Sequence, residues 1–321
     1  MERQSAGASV ARANAVIQMA LGMSQDRSDP SRPYRDICVS VGAVEDGAFQ
    51  RRLSFATGTP DLAFAVARGE IDVAAINPSA YLTMAHRGTG LFPEPLPVRA
   101  IAVMPSWDRM AFAVSERTGL TSLDELRDRR YPLRVSVRAS EAHATRFVID
   151  QVFAAAGLSL GDIESWGGTL QLVTTPSDAS RLEGMRDGFI DAVFDEGIKG
   201  WGPLALRSGM RFLPLGQHAL QRMEQLGWRC GPLPADRFPG VPRDLALPSF
   251  SGWPIFTRTG LADDAAYVMA RSLDAARPQI AWDSEEPVEL ADLCQNSDAT
   301  DLDVPLHPGA QRYYAERGAL P

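Results

Sequence analysis

Two short apolar runs in this chain repeat one pattern. "IDVAAIN" covers 71–77 and "FIDAVFDEG" covers 189–197. Each follows a segment of helical periodicity that stops at a glycine, "LAFAVARG" ending at Gly69 and "SRLEGMRDG" ending at Gly188. Each then enters its run through Ile-Asp, at Asp72 and Asp191, and leaves on polar residues. Nearly continuous apolar character over four to six residues predicts a strand buried on both faces. The glycine predicts the helix stop before it.

Further along, β-branched or alternating patterns predict strands at "ICVSVGAV", "RRLSFATG", "VRAIAVM", "MAFAVS", "LRVSV", "QLVTT", "MRFLPL" and "WPIFTR". Helical spacing predicts a helix opening at Thr59-Pro60, another starting at Ser79, and a short one behind a Ser122/Glu125 capping box. A longer helix is expected over "SEAHATRFVIDQVFAAAGL", with Ser140 as its cap, Phe147, Val148, Val152 and Phe153 on one face and Gly157 at its end. "HALQRMEQLGW", "ADDAAYVMARSLDAA" and the terminal "PGAQRYYAERG" complete the helices. At the start, Val10, Ala13, Ile17 and Leu21 recur at helical intervals. Glu2 stands where a secretion signal would carry positive charge, so an amphipathic helix rather than a signal peptide is expected there.

The alternation of strands and helices predicts an α/β fold. A second echo, "AFAVSERTGLTSLDEL" against "WPIFTRTGLADDAAYV", joins a strand to Arg-Thr-Gly-Leu and an acidic helix start. Two such strands suit an outward and a return crossing between two lobes. Lobe 1 is then 1–107 plus 257–321, and lobe 2 is 108–256. The tips of the two repeated strands are expected to face each other across a cleft, since open α/β sheets bind ligands at their carboxyl edge.

The 321 residues suffice for two such lobes. Net charge is −8 and no basic stripe is present, which argues against a nucleic-acid partner. No apolar run approaches the length of a membrane span. Cys38, Cys230 and Cys294 lack CxxC spacing, and the four histidines lack HExxH spacing. No metal, redox or other cofactor motif follows from them.

Several residues at predicted carboxyl edges have two roles open to them. Asn77 and Ser79, past the first repeated strand, either hydrogen-bond a ligand or cap the next helix. Ser140 and His143, at the start of the long helix, either meet an anion or serve the helix alone, with Glu141 complementing its dipole. Asp195 and Glu196 either bind an amine or hydroxyls or pair with an arginine or with Lys199, the single lysine of the chain. Trp253, on the return crossing, either stacks on a flat ligand or packs the hinge. Tyr267 is expected on a buried helix face, and His307 in a structural role.

The whole resembles a periplasmic-binding-protein fold with two crossover strands, and more specifically the TAXI family of solute receptors for TRAP transporters. The likeness rests on "FAVARGEIDVAAI", "TGLTSLDELRDRRYPLRVSVRASEAHATRFVIDQVFAAAGL", "GMRDGFIDAVFDEG" and above all the terminal "VPLHPGAQRYYAERG", and runs over about 55–317. It implies a type II, two-lobed fold, each lobe a mostly parallel sheet flanked by helices. The implied function is a solute-binding protein that closes over a small, carboxylate-bearing organic metabolite and is recognised by TRAP membrane subunits, with no chemistry and no cofactor. Asn77, Ser79, Ser140, His143, Asp195, Glu196 and Trp253 become ligand-binding candidates. The family's secretion signal and Gly-rich opening loop are not recognisable, and Arg138-Ala139-Ser140-Glu141 stands where a glycine-rich turn is usual. The family resemblance implies the periplasm; the missing leader points to the cytoplasm. A cytoplasmic enzyme resembling aromatic-acid decarboxylases, or a sensor, is the alternative, with His143, Glu196 and Lys199 as proton-transfer candidates.

Overall fold

A computed structural model describes residues 38–320 except 46, 47, 59, 142 and 285, together with Ile17. The N-terminal helix read from Val10 to Leu21 therefore falls, apart from Ile17, outside the described residues.

Two five-stranded sheets organise the chain. The first contains β1 (Cys38–Glu45), β2 (Ala48–Gly58), β3 (Val73–Ile76), β4 (Val98–Met104) and β12 (Trp253–Arg258), in the order β1-β2-β3-β12-β4. The second contains β5 (Ala111–Ser115), β6 (Arg134–Arg138), β7 (Thr169–Val173), β8 (Ala192–Asp195) and β9 (Met210–Phe212), in the order β7-β6-β8-β5-β9. A small antiparallel pair, β10 (Cys230–Leu233) with β11 (Leu245–Pro248), lies between them in sequence. The direct pairings β2/β3, β6/β7 and β6/β8 are parallel. In the second sheet β5 alone runs against the other four. In the first sheet β12 and β1 run against β2, β3 and β4. The fold is α/β, built on two mixed five-stranded sheets, with one reversed strand inserted beside β3 in the first and beside β8 in the second.

The two reversed strands are those that carry the Arg-Thr-Gly-Leu echo. The chain passes from β4 to β5 through Pro105–Met110 and returns from β11 to β12 through Ser249–Gly252. These crossovers pair with each other. Met110 donates its N–H to the Pro248 carbonyl, Phe250 to that of Asp108 and Gly252 to that of Ser106, with Arg109 opposite Ser249. The return strand β12 is part of the first sheet from Trp253 onward.

Helices α1 (Leu62–Ala67), α2 (Ser79–Arg87), α3 (Leu123–Asp128), α4 (Ala144–Ala155), α5 (Leu160–Ser165), α6 (Ala179–Asp187), α7 (Ile198–Arg207), α8 (Gln217–Leu226), α9 (Asp263–Ala276) and α10 (Pro308–Glu316) cover the sheets. β3, β5 and β8 are buried at every position, as continuous apolar runs require. The last two helices close the first lobe. His307 caps α10 by accepting the Gly309 N–H on Nδ1 at 3.3 Å, and its own N–H reaches the Ala100 carbonyl of β4 at 2.8 Å. A Cβ at Gly309 would lie 1.9 Å from the Asp263 carbonyl oxygen, so only glycine lets α10 pack on the start of α9. Tyr267 is half-buried between these helices, its hydroxyl on Glu316 at 2.7 Å.

Two caps differ from the sequence reading. Ser140 is exposed and does not cap α4; His143 does, accepting the Thr145 N–H on Nδ1. Ser79 is the first residue of α2, not its cap; Pro78 holds that place without a side-chain bond. The capping box before α3 forms in altered register. Ser122 accepts from Glu125 N–H, while the Glu125 carboxylate reaches Thr121 N–H.

Candidate functional site

The repeated Ile-Asp phrase folds into one device, built twice. Asp72 and Asp191 stand just before β3 and β8. Asp72 accepts the Ser54 N–H at 2.9 Å and returns its own N–H to the Ser54 carbonyl at 3.1 Å. Asp191 does the same with Arg134, at 3.3 and 2.7 Å. Each aspartate also meets the arginine of the Arg-Thr-Gly-Leu echo. Arg258 lies 3.0 Å from Asp72 and Arg117 2.8 Å from Asp191. Asp191 gains a second guanidinium from Arg134. Burial raises its carboxyl, but the bonds from Arg134 and Arg117 outweigh that and hold it below the usual range. Both echoes therefore describe a staple between the reversed strand and its neighbour, at the amino end of the buried strand.

The carboxyl ends of β3, β6 and β8 meet at the crossovers. Asn77 donates from Nδ2 to the carbonyls of Phe250 at 3.4 Å and Gly252 at 3.1 Å. Ser79 N–H reaches the Ser251 carbonyl. Gly252 has φ +77°, and a Cβ there would fall 2.4 Å from the Ser79 hydroxyl, so this glycine permits the return crossover to lie on α2. From the other side, Asp108 of the outgoing crossover accepts the N–H groups of Gly197 at 2.7 Å and Ile198 at 3.2 Å, at the start of α7. Asn77 and Glu196 thus flank the same pair of crossovers.

At the end of β8 the charges are tied to each other. Asp195 is fully buried and binds both Arg138 and Arg181. Arg138 also bonds Glu196 and donates to the Thr174 carbonyl at 2.7 Å. Arg181, itself fully buried, donates to Ser136 Oγ at 2.9 Å and to the Pro176 carbonyl at 3.1 Å. Burial pushes the carboxyls of Asp108 and Glu196 up, to about 6 and about 8. Burial and the Arg138 charge lower His143 to about 4, so its ring is neutral. Asp195 is therefore an internal counter-ion rather than a free ligand contact. Glu196 pairs with Arg138, and Lys199 with Asp283 at 2.8 Å. Among the described residues His143, Glu196 and Lys199 are not hydrogen-bonded to one another. Trp253 is 37% exposed at the start of β12, opposite Met104.

An open cleft was expected between the lobes; they meet in a packed seam instead. Tyr81, in the first turn of α2, is 1% exposed. It packs edge-on to Trp228 at 5.4 Å and tilted to Phe147, in the first turn of α4, at 6.4 Å. Phe147 and Trp228 stack at 5.9 Å. Thr89 Oγ1 donates to the Leu226 carbonyl across the same seam. Polar groups are nonetheless left over in the seam and beside the return crossover. Ser79 Oγ and Trp228 Nε1, in residues each 2% exposed, have no hydrogen-bond partner among the described residues. A cavity of 170 Å³ lies at the amino end of β8, lined by Arg117, Asp187 and Ile190, and a 420 Å³ groove lies between α4 and α8. Neither is in the seam.

No family model matches this chain, and comparison with curated proteins found no match. Solved structures do match. The alkanesulfonate-binding protein of Xanthomonas axonopodis pv. citri bound to MOPS is 15% identical, with 69% of this chain and 63% of that one covered and a TM-score of 0.30. This chain therefore spans less than two thirds of that protein. A glycine betaine/L-proline-binding protein of an ABC transporter from Borrelia burgdorferi is 16% identical over 66% and 67%, TM-score 0.39. A Xanthomonas citri protein bound to chloride ion is 12% identical over 81% and 80%, TM-score 0.39. At these scores the likenesses carry no argument about the site, which has to rest on its own geometry.

That geometry includes four residues that sequence reasoning passed over: Asp108, Arg109, Arg138 and Arg181. Arg109 is 1% exposed and knits the crossovers together. It donates to Ser251 Oγ at 2.9 Å, Ser249 Oγ at 3.2 Å and the Pro232 carbonyl at 3.2 Å, and it pairs with Asp298. Arg138 had a visible signal, an arginine closing the apolar run "LRVSV". Arg181 had none, since nothing local marks which arginine of a polar helix turns inward.

Proposed function

We propose that this protein is a solute-binding protein whose two lobes close over a small organic molecule at the seam between α2, α4 and Trp228. The lobes are taken as 1–107 with 257–321 and 108–256, moving about the paired crossovers. The observation that carries the reading is the pair of buried, unpartnered groups at the junction, Ser79 Oγ beside Gly252 of the return crossover and Trp228 Nε1 in the seam. A buried polar atom without a partner costs about 1–3 kcal/mol. Two of them at a junction between lobes are explained if a ligand completes them when the lobes reopen and close. Trp228 Nε1 is a donor only, and Ser79 is able to donate, so the solute presents acceptors; a carboxylate fits. The start of α2 adds its dipole and lacks a side-chain cap. Tyr81, Phe147 and Trp228 supply an apolar, aromatic wall for the rest of the molecule.

The finer reading is a receptor of TAXI type serving TRAP membrane subunits in the periplasm. The sequence segments quoted above support it, the Pro-x-His-Pro-Gly-Ala segment most of all.

The test is a thermal-shift panel of small carboxylates and neutral solutes on the wild type, Ser79→Ala and Trp228→Phe. A ligand bound only by the folded state at about 100 times its Kd adds about 2.7 kcal/mol. At least one carboxylate should raise Tm in the wild type and much less in both variants. No stabilisation by any solute, or equal stabilisation in all three proteins, would remove the reading.

A further inference from the structure

We propose that Arg229 is a positioning residue: its ion pair with Asp303, beside Asp301, holds Trp228 in the seam, and breaking that pair frees the indole. This rests on the solute-binding reading, in which Trp228 meets the solute; Arg229 acts only through its neighbour.

Residues 226–229 of the second lobe touch the first lobe one after another. The Leu226 carbonyl accepts the Thr89 hydroxyl. Gly227, with φ +114°, ends α8 against α2, where a Cβ would lie 3.1 Å from Thr83 Cγ2 and 3.5 Å from the Met84 backbone nitrogen. The Trp228 ring stands edge-on to Tyr81. Arg229 then reaches an acidic turn of the first lobe, 296–303. Its Nε donates to Asp303 Oδ2 at 2.8 Å and its Nη2 to Oδ1 at 2.6 Å, while Nη1 lies 3.7 Å from Asp301 Oδ1.

Only the last of these contacts fixes an orientation. An aromatic edge and a close van der Waals approach tolerate sliding; a forked guanidinium on a carboxylate does not. The carboxylate side is braced. Asn296 accepts the Leu302 N–H at 2.6 Å and donates to the Leu302 carbonyl at 3.0 Å, and Ser297 and Thr300 exchange backbone bonds at 3.0 and 3.3 Å. On the other side, the Arg229 carbonyl accepts the Ser249 N–H of the return crossover at 2.7 Å. Arg229 is thus held at its backbone and at its guanidinium, and Trp228, one peptide away, is held with it. The acidic turn also lies beside Ser79. A Cβ on Gly252 would be 2.4 Å from Ser79 Oγ and 3.4 Å from the Asp301 nitrogen. The clasp therefore adjoins both unpartnered groups assigned to the solute.

Exposure makes the clasp reversible. Arg229 is 36% and Asp303 21% exposed, so water replaces either partner when the pair parts, unlike the sealed pairs of Asp195.

Fluorine NMR of the full chain carrying fluorotryptophan, without added solute, reads Trp228 directly. The chain has six tryptophans, and the signal lost in Trp228→Phe is that of Trp228. In the wild type it should lie away from its unfolded position and show no shift between light and heavy water, as a ring 2% exposed requires. Arg229→Gln and Asp303→Asn break the pair from opposite lobes. In each, the Trp228 signal should move toward the unfolded position and gain a solvent isotope shift, while the other signals stay. Asp303→Glu keeps the carboxylate and should keep the wild-type signal. A Trp228 signal unchanged in both pair-breaking variants overturns the assignment. So does a shift of every tryptophan signal, which would make the pair a requirement of the whole fold and not of Trp228. Failure of every carboxylate to stabilise the wild type, with the Trp228 response intact, would instead overturn the solute-binding reading.

Discussion

The two lobes carry the same strand twice and differ most at its carboxyl end. At the amino end, Asp72 and Asp191 make the same staple, down to the reciprocal backbone bonds with Ser54 and Arg134 and the arginine of the reversed strand. At the carboxyl end, β3 finishes in a neutral Asn77 bonded to the return crossover, whereas β8 finishes in Asp195 and Glu196 inside a four-residue charge network with Arg138 and Arg181. What is repeated is scaffold; what differs is the charge gathered at the carboxyl end.

The largest effect expected concerns the end that differs. Asp195→Ala leaves Arg138 and Arg181 buried without their counter-ion and should cost about 3–5 kcal/mol in urea unfolding. Asn77→Ala, at the matching place in the first lobe, loses only neutral bonds and should cost about 1–2 kcal/mol. Equal losses would break the contrast.

The repeated ends should behave alike, with a graded difference. Asp191→Ala removes two guanidinium partners and a backbone bond from a buried carboxylate, and about 2–3 kcal/mol is expected. Asp72→Ala, with one guanidinium and more exposure, should cost about 1–2 kcal/mol.

pH then separates the lobes. The Asp108 and Glu196 carboxyls are raised, so the folded protein holds protons that the unfolded chain releases. Their contribution is full below the unfolded value of about 4 and is lost as pH rises toward about 8. The lowered His143 opposes this below about pH 7, so the fall is read between about pH 7 and pH 8, where unfolding free energy should drop by about 1 kcal/mol and Glu196→Gln should flatten the curve. A wild-type curve that rises through the window would show the sign to be wrong.

The smallest effect is at the seam. Trp228→Phe deletes an N–H that has no partner and should change stability by less than about 1 kcal/mol while weakening solute binding. A large loss of stability would mean that the indole N–H is satisfied and the seam is structural.

The scaffold was legible in the sequence because it is local. Continuous apolar runs, glycine stops and two echoed phrases sufficed to place β3, β8, β5 and β12. The caps at Ser79 and Ser140 were misplaced because each chain segment offers several acceptors within one turn, and the backbone's approach to the crossover decides among them. The pairing of Arg138 and Arg181 with Asp195, and of Asp108 with the start of α7, was hidden because those partners come from different strands, helices and a crossover. Local pattern marks Asp195 and Glu196 as polar residues at a strand end; only tertiary structure shows that the first is consumed as a counter-ion. Nor does any periodicity reveal that Tyr81, Phe147 and Trp228, read as ordinary helix-face apolar residues or not singled out at all, close the seam.

Hydrogen exchange of the chain with and without a stabilising carboxylate tests the central claim most directly. The account predicts added protection in the peptides that hold the start of α2, the start of α4 and Trp228, and none at the staples around Asp72 and Asp191. Protection centred on either staple, or on the groove between α4 and α8 with the seam unchanged, would contradict it.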